Sequence, residues 1–418
     1  MGRGADPAGA TARQAGGDGL STAPLREALE EALPQRPFRV TLWDGTELAP
    51  TTGGDVPVFS LHSPLALGHL LRAPGQLGLG RAYVSGSLGV DDIDKTLQLL
   101  ADYHPAPVDA KAKARIAAAA VRAGALTAVP RRPSVELRPQ GRRHSIGRDK
   151  RAVTHHYDVS NEFFALFLGP SMTYSCAYWR GGAETLEEAQ VAKHELVCTK
   201  LGLTAGDRVL DVGCGWGAFA VHAAKHHGAR VTGITLSEPQ AQRARRHAAD
   251  EGVADLVEIR VADYRDLGGE TYDAIASIGM VEHVGAVNID AYARTLAGLL
   301  GPGGRLLNHG IARLRHGEPE AGPFSERFVF PDAAPLHVSR IQHALEGAGF
   351  ETLHVEGLRE DYARTLREWT RRLEASHAEA VRLAGAERVR VWQVYLRAAR
   401  RGFDTGFTSV YQVRAVRA

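Results

Sequence analysis

The segment Arg208-Val209-Leu210-Asp211-Val212-Gly213-Cys214-Gly215-Trp216-Gly217 carries the parts of a ligand-binding turn. Its apolar run Val209 to Val212 reads as a strand, and a helix is predicted from about Ala218 to His226. Glycines between them let the backbone approach a ligand without Cβ interference, and the new helix N-terminus offers free N–H groups. A Gly-x-Gly turn is weak by itself, because nucleotide dehydrogenases use the longer G-x-G-x-x-G. Here Gly217 follows Gly215 by two residues, and the acidic Asp211 stands at the strand end before the turn. That arrangement is unlike a pyrophosphate cradle. It suits the cationic amino-acid part of S-adenosylmethionine, which has no phosphate to neutralise. The competing reading is a tight strand-to-helix turn with packing glycines.

Three downstream segments fall where such a ligand needs them. Arg230 to Thr235 is a second strand, running through Leu236 and Ser237 to Gln240 at a helix start; its end should face a ribose, with Gln240 a candidate hydrogen-bonding residue. Dinucleotide-binding folds mostly carry Asp or Glu at this strand end, so Thr235 weakens a nicotinamide reading. Val257 to Val261 is a third strand, and the polar loop at Asp263 and Tyr264 could flank an adenine. Tyr272 to Ile278 is a fourth, followed by Gly279-Met280-Val281-Glu282-His283-Val284-Gly285. In an open α/β sheet ligands lie at the carboxyl ends of the strands, so the four segments converge on one crevice.

The elements that position these residues can be read coarsely. From Asp158 onward helical stretches alternate with short apolar strands, which implies α/β with a parallel sheet. Before it, Leu25–Leu33 reads as helix, Phe38–Trp43 as an alternating strand closed by a turn at Asp44-Gly45, Val56–Leu61 as a second strand and Ser63–Leu71 as a helix. Gly75–Gly89 is glycine-punctuated, Lys111–Val129 an alanine-rich basic helix, and Pro130–Gly147 a Pro/Arg connector. At 418 residues the chain exceeds one core, since single cores stop growing near about 250–300 residues. The expected organisation is a disordered tail over 1–23, a small α+β domain over 24–110, a basic helix and linker over 111–150, and the α/β domain over 151–418.

Composition narrows the setting. A 44% hydrophobic and 23% charged chain is ordinary for a soluble globular protein. Cys176, Cys198 and Cys214 are odd in number and lack metal-ligand spacing, which argues for a reducing compartment. No signal peptide and no run of about 18 apolar residues is visible, so the expectation is a cytoplasmic protein. The net charge is only +2, yet Lys111, Lys113, Arg115, Arg122, Arg131, Arg132, Arg138, Arg142, Arg143, Arg148, Lys150 and Arg151 face only Glu136 and Asp149. This run is either a solvated linker or a contact with anionic lipid head groups, worth about 1 kcal/mol per basic residue near the surface. Nucleic acid is disfavoured, because no aromatic interleaving or base-reading motif accompanies it.

Further segments keep company with the glycine turn: His156-Tyr157-Asp158-Val159-Ser160-Asn161-Glu162-Phe163-Phe164, Met172-Thr173-Tyr174-Ser175-Cys176-Ala177-Tyr178, Asn308-His309-Gly310-Ile311 and Asp361-Tyr362-Ala363-Arg364-Thr365-Leu366. In order and spacing the set resembles the cyclopropane-fatty-acyl-phospholipid synthase family, with its mycolic-acid and methyl-branching relatives, over about residues 150–415. Residues 24–110 resemble the N-terminal domain of longer bacterial members more weakly. The resemblance implies a Rossmann-like S-adenosylmethionine methyltransferase sheet with a helical lid, and an unsaturated phospholipid acyl chain as substrate. The cis double bond attacks the sulfonium methyl, and the resulting carbocation loses a proton to close a cyclopropane ring. It implies a bound bicarbonate ion as the base, held by Cys176, Glu282, His309, Tyr362 and the backbone at Ile311. Cofactor contacts fall to Tyr174, Ser175, Asp211, Gly213, Gly215, Gly217, Thr235, Leu236, Gln240, Asp263 and Tyr264. It is compatible with peripheral association at the inner membrane face and leaves a homodimer open.

Singly, these residues have plainer readings. Cys176 reads as a buried small hydrophobe, His309 as a satisfied core histidine, Tyr362 as a helix cap, and Glu282-His283 as surface residues at a helix start. Jointly, in one order around the glycine turn, they favour the catalytic reading. Cys198 and Cys214 read as structural, and His155, His226 and His227 receive no role. No zinc spacing or carboxylate cluster suggests a metal. Two stretches depart from the family pattern, Ala312 to Glu320 and Asp332 to Leu336, where many relatives have glycine-rich turns. A methyl-branching enzyme and a small-molecule N- or C-methyltransferase remain the alternatives.

Overall fold

The structure is a computed structural model that describes residues 21–125, 129–138, 141, 148, 160–317 and 322–418. His156 to Val159, Arg142 and Arg143, most of the expected tail and Glu318 to Glu320 lie outside the described residues. The chain divides into two compact units, Met1–Arg131 and Arg132–Ala418.

In the first unit, α1 (Ala23–Ala32) begins beside Thr22, whose backbone N–H and hydroxyl donate to the Asp44 carboxylate at 2.9 and 2.7 Å. A four-stranded sheet follows in the order β2-β1-β3-β4, built from β1 (Arg39–Thr41), β2 (Glu47–Leu48), β3 (Val58–Leu61) and β4 (Leu88–Val90). Between β3 and β4 lie α2 (Leu65–Arg72) and α3 (Gln76–Val84). The glycine-punctuated stretch therefore holds a helix and a strand, because packing outweighs the weak helix propensity of glycine. After α4 (Ile93–Asp102), the basic helix α5 (Ala110–Arg122) buries Ala119 and Ala120 in the same core as Leu25 and Phe59.

The second unit opens with α6 (Asn161–Leu168), capped by the Ser160 hydroxyl, and α7 (Leu186–Leu201), which starts with a Thr185–Glu188 capping box. Then come β5 (Arg208–Val212), α8 (Ala218–His227), β6 (Arg230–Thr235), α9 (Glu238–Asp250), β7 (Val257–Val261), β8 (Tyr272–Ile278), α10 (Val281–Val284), α11 (Ile289–Gly298) and β9 (Leu300–Arg313). The remainder comprises α12 (Pro323–Phe328), α13 (Val338–Gly347), β10 (Phe350–Gly357), α14 (Arg359–Ala375), α15 (His377–Ala384), α16 (Ala386–Asp404) and β11 (Thr408–Arg417). The seven strands are ordered β10-β11-β9-β8-β5-β6-β7.

Strands β9, β8, β5, β6 and β7 pair in parallel, as the sequence pattern predicts, so their carboxyl ends share one edge. The other two strands correct the expectation of an all-parallel sheet. The three-helix excursion α14–α16 leaves after Gly357 and returns opposite it, at Tyr411, so β11 runs antiparallel to both β10 and β9. Among the described residues no helix is long and apolar enough to cross a membrane.

Helices α6, α14, α15 and α16 share one aromatic core cluster. Phe164 is fully buried there, with ring centroids 5.1 Å from Trp216 and 5.3 Å from Trp392. Close-packed interiors respond to lost volume with both a transfer and a cavity penalty. Phe164→Ala should therefore cost about 3–5 kcal/mol, read as a lower urea midpoint. A loss below about 1 kcal/mol would mean that this cluster collapses around the gap and does not hold the helices rigidly.

Candidate active site

The glycine turn after β5 is conformationally committed. Gly213, Gly215 and Gly217 have φ of 79°, 54° and 83°, the left-handed region that other residues avoid. A Cβ on Gly215 would meet no protein atom within 4 Å, and the residue lines two adjoining cavities of about 830 and 550 Å³. A Cβ on Gly217 would sit 2.8 Å from the Cβ of Ala244; this glycine lines neither cavity and serves helix packing. The cavities share Gly213, Gly215, Gln240 and Gly279.

The larger cavity runs past the end of β6. Thr235 Oγ1 donates to Gln240 Oε1 at 2.7 Å and accepts the Ser237 N–H, fixing the start of α9. Leu236, Asp263, Tyr264 and His283 also line it. The Asp263 carboxylate is held by the Arg265 guanidinium at 2.8 and 2.6 Å, and that guanidinium lies over the Tyr264 ring. The smaller cavity is lined by Tyr174 and Ser175, as expected, and by Asp211, Lys193 and His194. Lys193 and His194 sit on α7 and carry no motif; only burial marks them.

That smaller cavity is electrically unusual. Asp211 is pushed up to about 7 by burial, opposed by Lys193, and its Oδ2 has no partner among the described residues. Lys193 is pulled down to about 7 by burial, while its Nζ donates to Ser175 Oγ at 3.0 Å. A buried carboxylate short of a partner, an amine and a hydroxyl in one wall fit a zwitterionic amino-acid group bearing a nearby positive centre.

Behind the turn at Gly279, whose N–H donates to the His309 carbonyl at 2.8 Å, stands a second constellation. His309 lies inside β9 and is buried, which pulls it down to about 3. Its tautomer follows from its neighbours. Lys200 Nζ donates to Gln412 Oε1 at 2.6 Å, so the Gln412 amide N–H donates to His309 Nδ1 at 3.0 Å, and the ring proton sits on Nε2. That Nε2 has no partner among the described residues. Glu282 is buried on α10, not exposed as its plainer reading has it; its Oε1 accepts the Ile311 N–H at 3.1 Å and its Oε2 has no partner. Burial pushes Glu282 up to about 7. Gly310 makes room between them: a Cβ there would come within 2.2 Å of Val281 Cγ1 and 3.2 Å of Glu282 Oε2.

Cys176 and Tyr362 are buried in the aromatic cluster, against which Ile311 packs. Tyr362 lies inside the first turn of α14, which begins at Arg359. The Cys176 thiol, raised by burial, points at the carbonyls of Ala177 and Leu358 at 3.2 and 3.7 Å. None of Cys176, Glu282, His309 and Tyr362 lines the two cavities. Glu282 bonds the Ile311 N–H, His309 stands two residues before it on β9, and Cys176 and Tyr362 lie in the cluster against which Ile311 packs. Sequence reading missed Tyr395, whose hydroxyl accepts from Tyr174 at 3.3 Å and which burial pushes up to about 12.

With this geometry in view, known proteins can be compared. The model of the family "Mycolic acid cyclopropane synthetase" matches residues 144–413. The chain belongs to this family. It is 40% identical over 417 residues to a probable fatty acid methyltransferase of Mycobacterium tuberculosis, covering 95% of each chain. It is 33% identical over 344 residues to the cyclopropane-fatty-acyl-phospholipid synthase of Escherichia coli strain K12, covering 81% of this chain and 82% of that one. Among solved structures it resembles the mycolic acid cyclopropane synthase CmaA1 complexed with SAH and CTAB, at 32% identity and a TM-score of 0.61, over 64% of this chain and 98% of that one. The protein is an S-adenosylmethionine-dependent methyltransferase, and its sheet is the Rossmann-like sheet of that class.

Two measurements test the site. Gly215→Val places a branched side chain in the shared cavity, so S-adenosylmethionine binding should vanish in calorimetry; unchanged affinity would remove the glycine turn from the cofactor site. Glu282 has a folded-state value above its unfolded one, so the folded chain binds the extra proton between about pH 4.5 and 7 and loses this stability as pH rises through that window. The unfolding free energy of Glu282→Gln minus that of the native chain, from urea titrations, should become more positive from pH 5 to pH 8, by on the order of 3 kcal/mol in full. A flat difference would show that Glu282 is solvated.

Proposed function

We propose that the enzyme transfers the methyl carbon to the cis double bond of unsaturated fatty acyl chains in phospholipids and closes it to a cyclopropane. The observation that carries this reading is a pair of buried atoms without a partner among the described residues: the His309 Nε2–H, a donor, and Glu282 Oε2, an acceptor 3.2 Å from where a Gly310 Cβ would stand. Methylation of an amine or hydroxyl also releases a proton, but from a heteroatom that water can serve. An alkylated alkene must give up its proton from carbon, which calls for a base held beside the cation where water is kept out.

When bound, S-adenosylmethionine supplies a methyl group on a positive sulfonium, and bicarbonate supplies a base that alkylation does not consume. This chain's residues do the rest. Asp211 and Ser175 orient the amino-acid end of the cofactor, and Gln240 and Thr235 its ribose side. The π electrons of the double bond form the new bond to the methyl carbon as that carbon's bond to sulfur breaks and its electron pair stays on the sulfur, leaving the adjacent acyl carbon cationic. Loss of a proton from the added carbon frees the electron pair that closes the ring. His309 donating and Glu282 accepting would hold the small anion, with Ile311 and Tyr362 completing its surroundings. The aromatic faces of Tyr174, Tyr395, Trp369 and Trp392, which pack on one another at 5.3 to 6.0 Å, favour a nearby cation and exclude water.

The names of relatives, fatty acid methyltransferases among them, favour a second reading, in which a hydride shift precedes proton loss and a methylene branch results. Both products need the same cation and base. Peripheral association with an anionic membrane surface belongs to the proposal as well. Arg148 is committed to Asp332 through two hydrogen bonds and is not a free surface cation, so any basic contact falls to other residues of the connector.

Lipid analysis tests the whole reading. Expression in a host with unsaturated phospholipids should add one CH2 to acyl chains in mass spectra, and NMR distinguishes ring from branch. Glu282→Gln and Tyr362→Phe should bind S-adenosylmethionine normally yet turn over at least about 10²-fold more slowly, because the base acts only after methyl transfer begins. Native turnover should fall in buffer stripped of dissolved carbon dioxide and recover on adding bicarbonate. Full activity of folded Glu282→Gln would sink the assignment.

A further inference from the structure

Away from both cavities, α7 and α8 bring four potential ligands together. Glu195 and Cys198 stand one turn apart on α7, and His222 and His227 stand on α8. None of the four lines either cavity. The Cys198 Sγ and one ring nitrogen from each histidine lie within 4.8 Å of one another. Glu195 Oε2 lies 3.2 Å from His222 Nε2 and 3.0 Å from His227 Nε2. The pairwise pattern of Glu195 with two histidines is explained by ion pairing, but that leaves the buried thiol of Cys198 turned into the same cluster without a task.

We propose that Glu195, Cys198, His222 and His227 form a Zn2+ site that clips α7 to α8. One sulfur, two imidazoles and one carboxylate make the four-donor set of a borderline-soft ion, whereas Ca2+ and Mg2+ take oxygen ligands alone. Ligands about 2.0–2.3 Å from a tetrahedral centre lie roughly 3.3–3.8 Å apart, so the Cys198, His222 and His227 donors, within 4.8 Å of one another, close with shifts of about 1 Å. Glu195, outside that group but bonded to both imidazoles, completes the set by a larger turn of its half-exposed side chain. Binding releases the Cys198 thiol proton to solvent; thiolate and carboxylate together then match the charge of the ion. The ion enters from outside, because the Glu195 and His227 side chains are 49% and 19% exposed while Cys198 is fully buried. The clip has a structural task. Its His222 ring lies 5.6 Å from that of His194, which bonds Thr173 and lines the smaller cavity, so the ion braces one wall of the cofactor site from behind.

The test uses the full-length enzyme, stripped of metal by a chelator and then titrated with Zn2+. One ion per chain should bind with a Kd at or below about 1 µM, and the melting temperature should rise by about 3–6 °C. Co2+ in its place should show an intense near-ultraviolet thiolate-to-metal band that Cys198→Ser abolishes. His227→Ala alters a partly exposed side chain and should fold; it should weaken Zn2+ binding at least about 10-fold. Binding weaker than about 100 µM, affinity unchanged in both variants, or a Co2+ complex without the thiolate band would each overturn the site.

Discussion

Keeping ionisable groups out of water is the constraint on which the rest of this enzyme depends. Asp211, Lys193, Glu282 and His309 are all buried, and Asp211, Glu282 and His309 each retain one polar atom without a protein partner. In a medium of low polarity such groups move toward their neutral forms, which is the direction all four take. The arrangement costs stability, and folds retain that cost mainly where a site requires it. On the reaction proposed above, the same burial that leaves these atoms wanting partners would protect a carbon cation from water.

Holding such groups in place falls to a rigid frame. Strand β9 is paired by β8 in parallel as far as His309 and by β11 antiparallel on through Gly310 and Ile311, and Glu282 takes the free-side N–H of Ile311, so this backbone cannot adjust independently. The side chains are fixed from β11 and β10: Gln412 sets the His309 ring proton, and Lys200, bonded to Glu356, sets Gln412. The aromatic cluster from α6, α14 and α16 supplies the apolar wall. A two-sided strand, a glycine where a Cβ cannot fit, and a relay of amide and ammonium together define one donor and one acceptor.

Much of this was legible in the sequence, and for local reasons. Strands β5 to β8 and their carboxyl-end residues announce themselves through apolar runs that end in glycine or polar turns, so Asp211, Gly215, Thr235, Gln240 and Tyr264 could be named in advance. Glu282, His309 and Tyr362 emerged only as members of a family set, because each alone has a plainer explanation. Lys193, Gln412 and Tyr395 were illegible: they sit in ordinary helical or strand patterns, and their importance comes from burial that only tertiary packing creates. The helix α3 was hidden by glycines, the antiparallel place of β11 by the long excursion before it. The Cys198–His222–His227 grouping escaped notice because its members lie on two helices, in none of the short sequence spacings that signal a metal.

The insertion of β11 between β9 and β10 bears on how the enzyme comes into being. A ribosome delivers β9 and β10 well before residues 408–417, and until those residues emerge both strands present open edges that invite pairing with other chains. During that interval His309 also lacks the amide that sets its ring proton. Parallel strands β5 to β9 can form a cofactor crevice as they are made, but the half of the site around His309, to which the proposed reaction gives proton removal, is assembled last. On that proposal the nascent chain acquires the means to hold an activated methyl group before the means to finish a reaction with it.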